Sequence, residues 1–167
     1  MFSDRLYELK HLLIMTQNEK DLLLKDLSTR LQYGVKVHIS TWNEDTMEYE
    51  DKADEVYSIN KDGYIRTVNE DYEFEIEDVK PYLLPLSGMS DDQIEEMRDL
   101  CDMYDPINDY DAYEDWGTRL ITKHFMDDEY QFKFNVPLFE FLNKNRLDYC
   151  GLIKKELAID ATGLDIY

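Results

Sequence analysis

Residues 99–115 are crowded with carboxylates, which are the ligands that Ca²⁺ and Mg²⁺ prefer in proteins. Counted from Asp105 as an EF-hand loop, position 6 falls on Tyr110 where glycine is needed, and position 12 on Trp116 where glutamate is needed. The EF-hand is therefore excluded. A metal-assisted hydrolase that uses this cluster stays as an alternative. The cluster consists of Asp99, Asp102, Asp105, Asp109, Asp111, Glu114 and Asp115.

Histidine and cysteine side chains offer no further catalytic pattern. The histidines, His11, His38 and His124, are far apart and have no zinc-ligand spacing. Cys101 lies on the apolar face of a predicted helix, and Cys150 has no neighbouring histidine in sequence. Phosphate-binding glycine motifs and serine-nucleophile motifs are absent from the sequence. We therefore expect a non-enzymatic protein with no catalytic residue, no cofactor and no metal.

Aromatic side chains are interleaved with these acids in a way that suits binding. Tyrosine brings a large apolar area with a polar tip, and carboxylates pair with arginine. A predicted strand around residues 72–77 adds three alternate glutamates, about 6.6 Å apart, which is close to the phosphate spacing of one nucleic-acid strand. The predicted partner-binding residues are Glu73, Glu75, Glu77, Asp105, Asp109, Tyr110, Asp111, Tyr113, Glu114, Asp115 and Trp116.

The charge of the chain is large and uneven. The formal net charge is -20, from 38 acids and 18 bases in 167 residues. Residues 38–80 hold fourteen acids and four bases, residues 81–130 hold fourteen acids and three bases, and both ends are nearly balanced. This charge excludes unaided nucleic-acid binding, because phosphates would be repelled. It predicts either a solvated acidic surface or one that attracts a basic partner.

The N-terminal half is predicted to place two helices on a small sheet. Helices are expected at 4–15 and 17–32, the second begun by a Thr16–Glu19 capping box and ended at Gly34. Strands follow at about 35–39, 55–59, 64–68 and 72–76, with an acidic loop from Asn43 to Asp54. The second and third strands flank a hairpin turn at Asn60–Gly63. Tyr72, Phe74 and Ile76 are expected to face the core.

The C-terminal half is predicted to be mainly helical. Pro81 and Pro85 are expected to end the sheet, and a Ser90–Gln93 capping box to begin a helix over 91–104. An acidic loop at 105–117 precedes candidate strands at 120–124 and 131–134. Helices are then expected over about 136–158, with Asp148 capping the last of them, and a tail from Thr162 to Tyr167. The fold class is α+β, with N-terminal helices on a strongly bent antiparallel sheet or SH3-like barrel, in one domain over 1–167.

The chain resembles a family of small acidic proteins encoded by gut anaerobes and by their phages and prophages. The residues that carry the resemblance are 25–37, 78–90, 147–153 and 157–161. It covers the chain from about residue 20 to the end and is interrupted at 102–130. The family has no known activity. The resemblance therefore implies a mobile-element context and nothing about chemistry.

Together these features predict a cytoplasmic protein of the bacterial host cell. The longest apolar runs are far too short to cross a membrane, and the N-terminus lacks the apolar stretch of a signal peptide. We expect it to dock on a basic protein surface and to bind neither nucleic acid nor membrane. A nucleic-acid mimic that inhibits a host defence protein is one form of this hypothesis. A structural or assembly module of a phage particle is a further alternative, and the oligomeric state is open.

Two expectations follow for the binding kinetics. Reversing Glu73, Glu75 and Glu77 to lysine should slow association with the partner, whereas reversing Glu140 or Glu156 should not. Removing the aromatic residues Tyr110, Tyr113 or Trp116 should speed dissociation.

Overall fold

The computed structural model describes residues 15–102 and 136–167. Its helices are α1 (Gln17–Arg30), α2 (Asp91–Asp102) and α3 (Val136–Lys144). Its strands are β1 (Lys36–Asn43), β2 (Glu48–Ile59), β3 (Ile65–Thr67), β4 (Glu73–Phe74), β5 (Lys80–Leu83) and β6 (Ile159–Asp160). Short 3-10 turns lie at Leu31–Tyr33, Ile76–Asp78 and Leu86–Gly88. No helix in these ranges is long and apolar enough to cross a membrane.

Helix α1 begins at the predicted capping box. The Glu19 N–H donates to Thr16 Oγ1 at 3.3 Å, and the Thr16 N–H donates to Glu19 Oε2 at 2.8 Å. These bonds satisfy donors that a helix start leaves free. The Thr16 hydroxyl also donates to Glu19 Oε2 at 2.7 Å, and this bond, together with that from the Thr16 N–H, lowers the pKa of Glu19. The chain leaves the helix at Gly34, whose φ of 67° is a left-handed conformation that glycine adopts at little cost. The predicted second helix and its glycine cap are confirmed.

The strands form one mixed sheet in the order β4-β3-β2-β1-β5-β6. Neighbours are antiparallel except β5 and β6, which run parallel. The β2–β3 hairpin turns where predicted: the Asn60 side chain accepts from the N–H groups of Asp62 and Tyr64, and Gly63 has a φ of 86°. The α+β class is confirmed, but the predicted antiparallel sheet is wrong in one respect, because β6 adds to β5 in parallel. The strongly bent or SH3-like form stays a prediction, because strand pairing does not measure curvature, and so does the single domain.

The main core lies between α1 and the sheet. Leu23 and Leu27 of α1 are fully buried, and Leu24 and Leu31 pack partly buried against the same cluster. The sheet contributes Val37, Ile39, Val56, Ile65, Phe74, Ile76 and Leu83. A second cluster joins α2 to α3 and consists of Met97, Leu138, Phe141, Leu142 and Leu147. Helix α3 therefore buries one apolar face against α2.

The acidic loop predicted at Asn43–Asp54 is wrong, because most of it is the first half of β2. Strand β2 pairs with β1 along its whole length, from Lys36 opposite Glu55 to Asn43 opposite Glu48. The first six residues of β2 are all exposed, so this part of the strand has no buried apolar alternation to reveal it. Backbone pairing with β1 therefore determines its conformation.

Two further predictions about the sheet are wrong. The strand predicted at 72–76 is shorter in the structure, where β4 covers only Glu73–Phe74 and a 3-10 turn begins at Ile76. Tyr72, which was predicted to face the core, is 45% exposed. Pro81 lies inside β5 instead of ending the sheet. It pairs with Val37 on one side, while pairing to β6 begins only at Tyr82. Proline is tolerated there because that stretch of β5 has one unpaired edge.

The C-terminal segment also differs from the helices predicted over 136–158. Helix α3 ends at Lys144, and turns follow in place of a second helix. Asp148 does act as a cap, because its carboxylate accepts from the N–H groups of Leu152 and Ile153 at 2.8 Å each. The chain then forms β6, which the sequence did not indicate, since two residues carry no periodicity.

The predicted tail is held against the sheet. The Tyr167 hydroxyl accepts from the Lys36 N–H at 3.1 Å and donates to the Tyr82 carbonyl at 2.8 Å. The Arg146 guanidinium lies 3.9 Å from the centre of the Tyr167 ring. The predicted tail is therefore an ordered segment that packs on the sheet. The predicted helix at 4–15, apart from Met15, the loop at 105–117 and the strands at 120–124 and 131–134 lie outside the described residues.

Candidate partner-binding surface

The β1–β2 hairpin forms a two-stranded extension of the sheet, which we call the acidic ribbon (residues 39–54). Strand β5 pairs with β1 only at Val37 and His38, and β3 pairs with β2 only from Val56 onward. The turn at 44–47 closes the ribbon. The side chain of Asn43 accepts from two turn N–H groups, at 2.9 and 3.3 Å. This arrangement fixes the register of the ribbon beyond the main core.

Five exposed carboxylates occupy the turn and the first half of β2. No Lys or Arg side chain in residues 15–102 or 136–167 forms an ion pair with any of them. The His38 imidazole lies beside one of them, with its Nε2 3.7 Å from Asp51, and this pair is charged only when the histidine is protonated. As far as the described side chains go, the negative charge of the acidic ribbon is therefore uncompensated. The five carboxylates are Glu44, Asp45, Glu48, Glu50 and Asp51.

Exposed aromatic and apolar side chains lie beside these carboxylates. Trp42 is 47% exposed, and its ring meets that of Tyr49 edge to face, with 5.1 Å between ring centroids. Met47 in the turn is 68% exposed and has a φ of 58°, so it holds the left-handed position of the loop. The ribbon thus combines carboxylates with aromatics at a place where the sequence predicted only an acidic loop. The similar combination predicted at 105–116 lies outside the described residues.

Other acids close to the ribbon are used to hold the fold. Asp54 accepts from the Asn69 N–H at 3.0 Å, from the Asn69 side-chain amide at 2.7 Å and from the Glu55 N–H at 2.8 Å. Burial raises its pKa, but the hydrogen bonds from Asn69 and Glu55 outweigh burial and leave the pKa lowered. Asp54 therefore stays ionised and ties β2 to the segment after β3.

Lys52 has a similar structural role. Its ammonium donates to the Glu70 carboxylate, and this bond raises the pKa of Lys52. Burial and the same glutamate raise the pKa of the Tyr72 hydroxyl. Lys52 and Glu70 thus neutralise each other. The carboxylates without a lysine or arginine partner in the described residues lie in the turn and on both faces of β2, because Glu48 and Glu50 share the face of Lys52 whereas Asp51 lies on the other.

The three glutamates predicted as a row on one strand are separated by the structure. Glu73 pairs with Arg66 across β3 and β4 at 3.1 Å, whereas Glu77 lies in a 3-10 turn and pairs with Lys20 of α1 at 2.5 Å. Glu75, which forms no ion pair with another described residue, lies between them. The predicted spacing of 6.6 Å required an extended chain, so the phosphate-like row is wrong.

Glu75 and Glu77 instead line an acidic cleft at the start of α1. The cleft has a volume of about 270 Å³ and lies between α1, the β2–β3 turn and the 3-10 turn after β4. Asp21 and Asp62 add two more carboxylates, against one cation, Lys20. The cleft is a second acidic surface, and two of its four carboxylates, Glu75 and Glu77, belong to the predicted partner-binding residues.

The remaining predicted partner-binding residues cannot be placed, because they lie outside the described residues: Asp105, Asp109, Tyr110, Asp111, Tyr113, Glu114, Asp115 and Trp116. The same holds for most of the hydrolase cluster. Its first member, Asp99, is exposed on α2. Within the described ranges, no group of three or more histidine, cysteine or carboxylate side chains could hold a metal ion.

A buried polar joint between α1 and the C-terminal segment was not predicted from the sequence. Arg30 donates to the Asp26 carboxylate through Nε at 2.7 Å and through Nη2 at 2.9 Å, and Nη2 also donates to the Leu147 carbonyl at 2.9 Å. Burial alone would lower the pKa of Arg30, but the bonds and charge of Asp26 outweigh it and leave the pKa raised. An i, i+4 pair usually indicates the surface of a helix, so the sequence carried no signal for this joint.

Cys150 belongs to the edge of this joint and is not activated. Burial, followed by the charge of Asp26, raises the pKa of the Cys150 thiol to about 12. A nucleophilic cysteine needs a lowered pKa, so the position before Gly151 does not have the effect that a helix start would have had. Burial likewise raises the pKa of Tyr149 to about 12. These groups hold the fold together and offer no reactive centre.

Comparison with known proteins gives no relative: no family model, no curated protein and no solved structure matches this chain.

Proposed function

We propose that this protein is a non-enzymatic binding protein that docks on a basic protein surface through its acidic ribbon. The observation that carries the proposal is the set of five exposed carboxylates on residues 44–51, which have no lysine or arginine partner in the described residues. Elsewhere on the sheet, Glu70, Glu73 and Glu77 each have a cationic partner. The ribbon keeps its charge available for another molecule.

The neighbouring aromatics favour arginine as the partner group. A guanidinium can bind a carboxylate with two parallel hydrogen bonds and can also stack on an aromatic ring. Trp42 lies on the same face of the ribbon as Asp51, because alternate residues of β1 share a face and Ser40 is opposite Asp51. An arginine between these two side chains would satisfy both interactions at once.

We further propose that the partner is a nucleic-acid-binding protein of the host and that the ribbon competes with nucleic acid for its basic surface. Surfaces that bind nucleic acid are basic, because they neutralise phosphates. The resemblance to proteins of phages and prophages supports this choice of partner. The phosphate-like row on residues 73–77 no longer supports it, so the competition would rest on charge and on arginine contacts.

A salt series with a defined probe tests the binding proposal. Fluorescence anisotropy is measured with a labelled peptide of eight arginines, with its eight-glutamate counterpart, and with a short DNA duplex. Because the Debye length shrinks from about 30 Å at 0.01 M salt to about 8 Å at 0.15 M, the arginine peptide should bind tightly at low salt and at least tenfold more weakly at physiological salt. The glutamate peptide and the duplex should not bind.

Two results would contradict the proposal. Binding of the arginine peptide that does not change between low and physiological salt would show that charge is not the driving force. Binding of the DNA duplex by the protein alone would show that the acidic surface does not exclude phosphates. A stoichiometric gain in melting temperature with Mg²⁺ or Mn²⁺ would instead favour the hydrolase alternative.

A further inference from the structure

One edge of the acidic ribbon has backbone groups that point away from its partner strand. The Val56 N–H donates to the Val35 carbonyl at 2.9 Å. Bonds in an antiparallel pair fall on alternate residues, so odd-numbered residues of β1 bond β2 and even-numbered ones direct their N–H and C=O to the opposite edge. Lys36 agrees with this assignment, because its N–H donates away from β2, to the Tyr167 hydroxyl.

Strand β5 covers only the beginning of this edge. It pairs with β1 at Val37 and His38 and goes no further. Beyond that point the even-numbered residues are Ser40 and Trp42, and no hydrogen bond to their backbone groups is present within residues 15–102 and 136–167. Two N–H donors and two carbonyl acceptors therefore form a short open edge.

In the part of the chain that the structure describes, this edge lacks the features that usually protect a free strand. Proteins block such edges with charged side chains, proline, bulges or a covering segment, because an open edge accepts another strand. The sequence from Ile39 to Asn43 has no charged residue and no proline, and its pairing with β2 is regular. The opposite edge of the ribbon, on β2, carries Glu48, Asp51 and Lys52.

The charge of the ribbon selects among possible occupants. A second copy of the chain would bring a second acidic ribbon beside the first, and like charges at this separation repel. A strand with basic side chains would be attracted. Neighbouring strands lie about 4.8 Å apart, so an arginine on an added strand could reach across Trp42 toward Asp51 on the strand beyond.

We propose that an extended basic segment of the partner adds to the sheet as a strand along the Ser40–Trp42 edge. This inference rests on the proposed function and specifies how the basic partner is held. The backbone of the segment would pair with Ser40 and Trp42, while its basic side chains would meet the carboxylates of the ribbon. Such strand addition gives affinity through the main chain and selectivity through alternate side chains.

Hydrogen exchange measured by NMR tests the backbone pairing. The probe is a nine-residue peptide of alternating arginine and valine. Its binding should slow exchange of the Ser40 and Trp42 amides at least tenfold and leave the Ala53 amide, on the opposite edge, unchanged. The same peptide with N-methyl groups on alternate amides should bind at least tenfold more weakly, because methylation removes the donors that pair with β1.

Two proline variants form a matched pair for the same probe. Ser40→Pro removes the N–H at the proposed edge, and Ala53→Pro removes one at the other edge of the ribbon; neither N–H pairs with the partner strand. Ser40→Pro should weaken peptide binding at least tenfold, and Ala53→Pro less than twofold. The N-methylated peptide keeps the test decisive if a variant fails to fold.

The outcomes separate this inference from the proposed function. Salt-sensitive peptide binding with no slowing at Ser40 and Trp42 would overturn strand addition and leave the binding function standing. If a glutamate–valine peptide bound as tightly as the arginine–valine peptide and also slowed exchange of both amides, the choice of a basic partner would be overturned. No binding at about 1 mM peptide would overturn both. A dimer in solution that Ser40→Pro abolishes would assign the edge to a second copy.

Discussion

Replacing Asp26 by alanine should be among the most damaging single changes in the described residues. Arg30 is fully buried and Asp26 is 2% exposed, and the two are joined by bonds of 2.7 and 2.9 Å. The variant leaves a buried guanidinium without its counter-charge, and one of its nitrogens, Nη1, already has no hydrogen-bond partner. Breaking such a pair from one side costs about 3–5 kcal/mol.

Urea unfolding and a thermal scan measure this loss. For a chain of this size, about 3–5 kcal/mol corresponds to a fall in melting temperature of roughly 6–20 °C. Glu73→Ala is the matched control, because it removes the carboxylate of an exposed pair with Arg66, and exposed pairs contribute about 0–1 kcal/mol. If Asp26→Ala cost no more than Glu73→Ala, the joint between α1 and the C-terminal segment would not be stabilising the fold.

Three further changes test other parts of the structure. Gly34→Ala should cost about 1–2 kcal/mol, because Gly34 has a φ of 67°, whereas Gly88→Ala, without a positive φ, should cost less; denaturant unfolding compares them. In a Cys101→Ser background, Cys150 should react with a thiol reagent at pH 8 orders of magnitude more slowly in the folded protein than in urea, since burial raises its pKa to about 12. Equal reaction rates in the two conditions would contradict the burial of Cys150. The pKa of Asp54 is lowered on folding, so its contribution is present above its ordinary value of 3.8 and is lost as pH falls through the folded pKa. Asp54→Asn should therefore lose about 1–3 kcal/mol at pH 7 and show a flatter decline of stability below about pH 5, measured by urea unfolding across pH.

Local chemistry made parts of this fold predictable from sequence. The capping boxes at Thr16 and Ser90 and the turn at Asn60–Gly63 each depend on residues a few positions apart, and all three are confirmed. The alternation of Val37 and Ile39 likewise revealed β1, because it needs only one buried face. These features require no knowledge of distant contacts.

The features that failed depend on distant contacts or on ambiguous patterns. The first half of β2 is exposed on both faces, so its conformation comes from pairing with β1. The Asp26–Arg30 pair resembles a surface pair until Leu147 and the C-terminal segment cover it. For the site, the carboxylates and aromatics predicted at 105–116 lie outside the described residues and stay a prediction. The acidic ribbon was not predicted, since it depends on the pairing of β2 with β1.

The acidic ribbon is tested most directly by two double charge reversals of equal size. Glu48 and Glu50 become lysine in one variant, and Glu140 and Glu156, which are exposed outside the ribbon, become lysine in the other. Affinity for the eight-arginine peptide is measured at about 0.01 M salt, where the Debye length of about 30 Å leaves charge interactions strong. We expect the ribbon variant to bind at least tenfold more weakly than the unmodified protein and the control variant to bind within twofold of it. Equal losses in the two variants would show that only the net charge matters and that the ribbon is not a binding site.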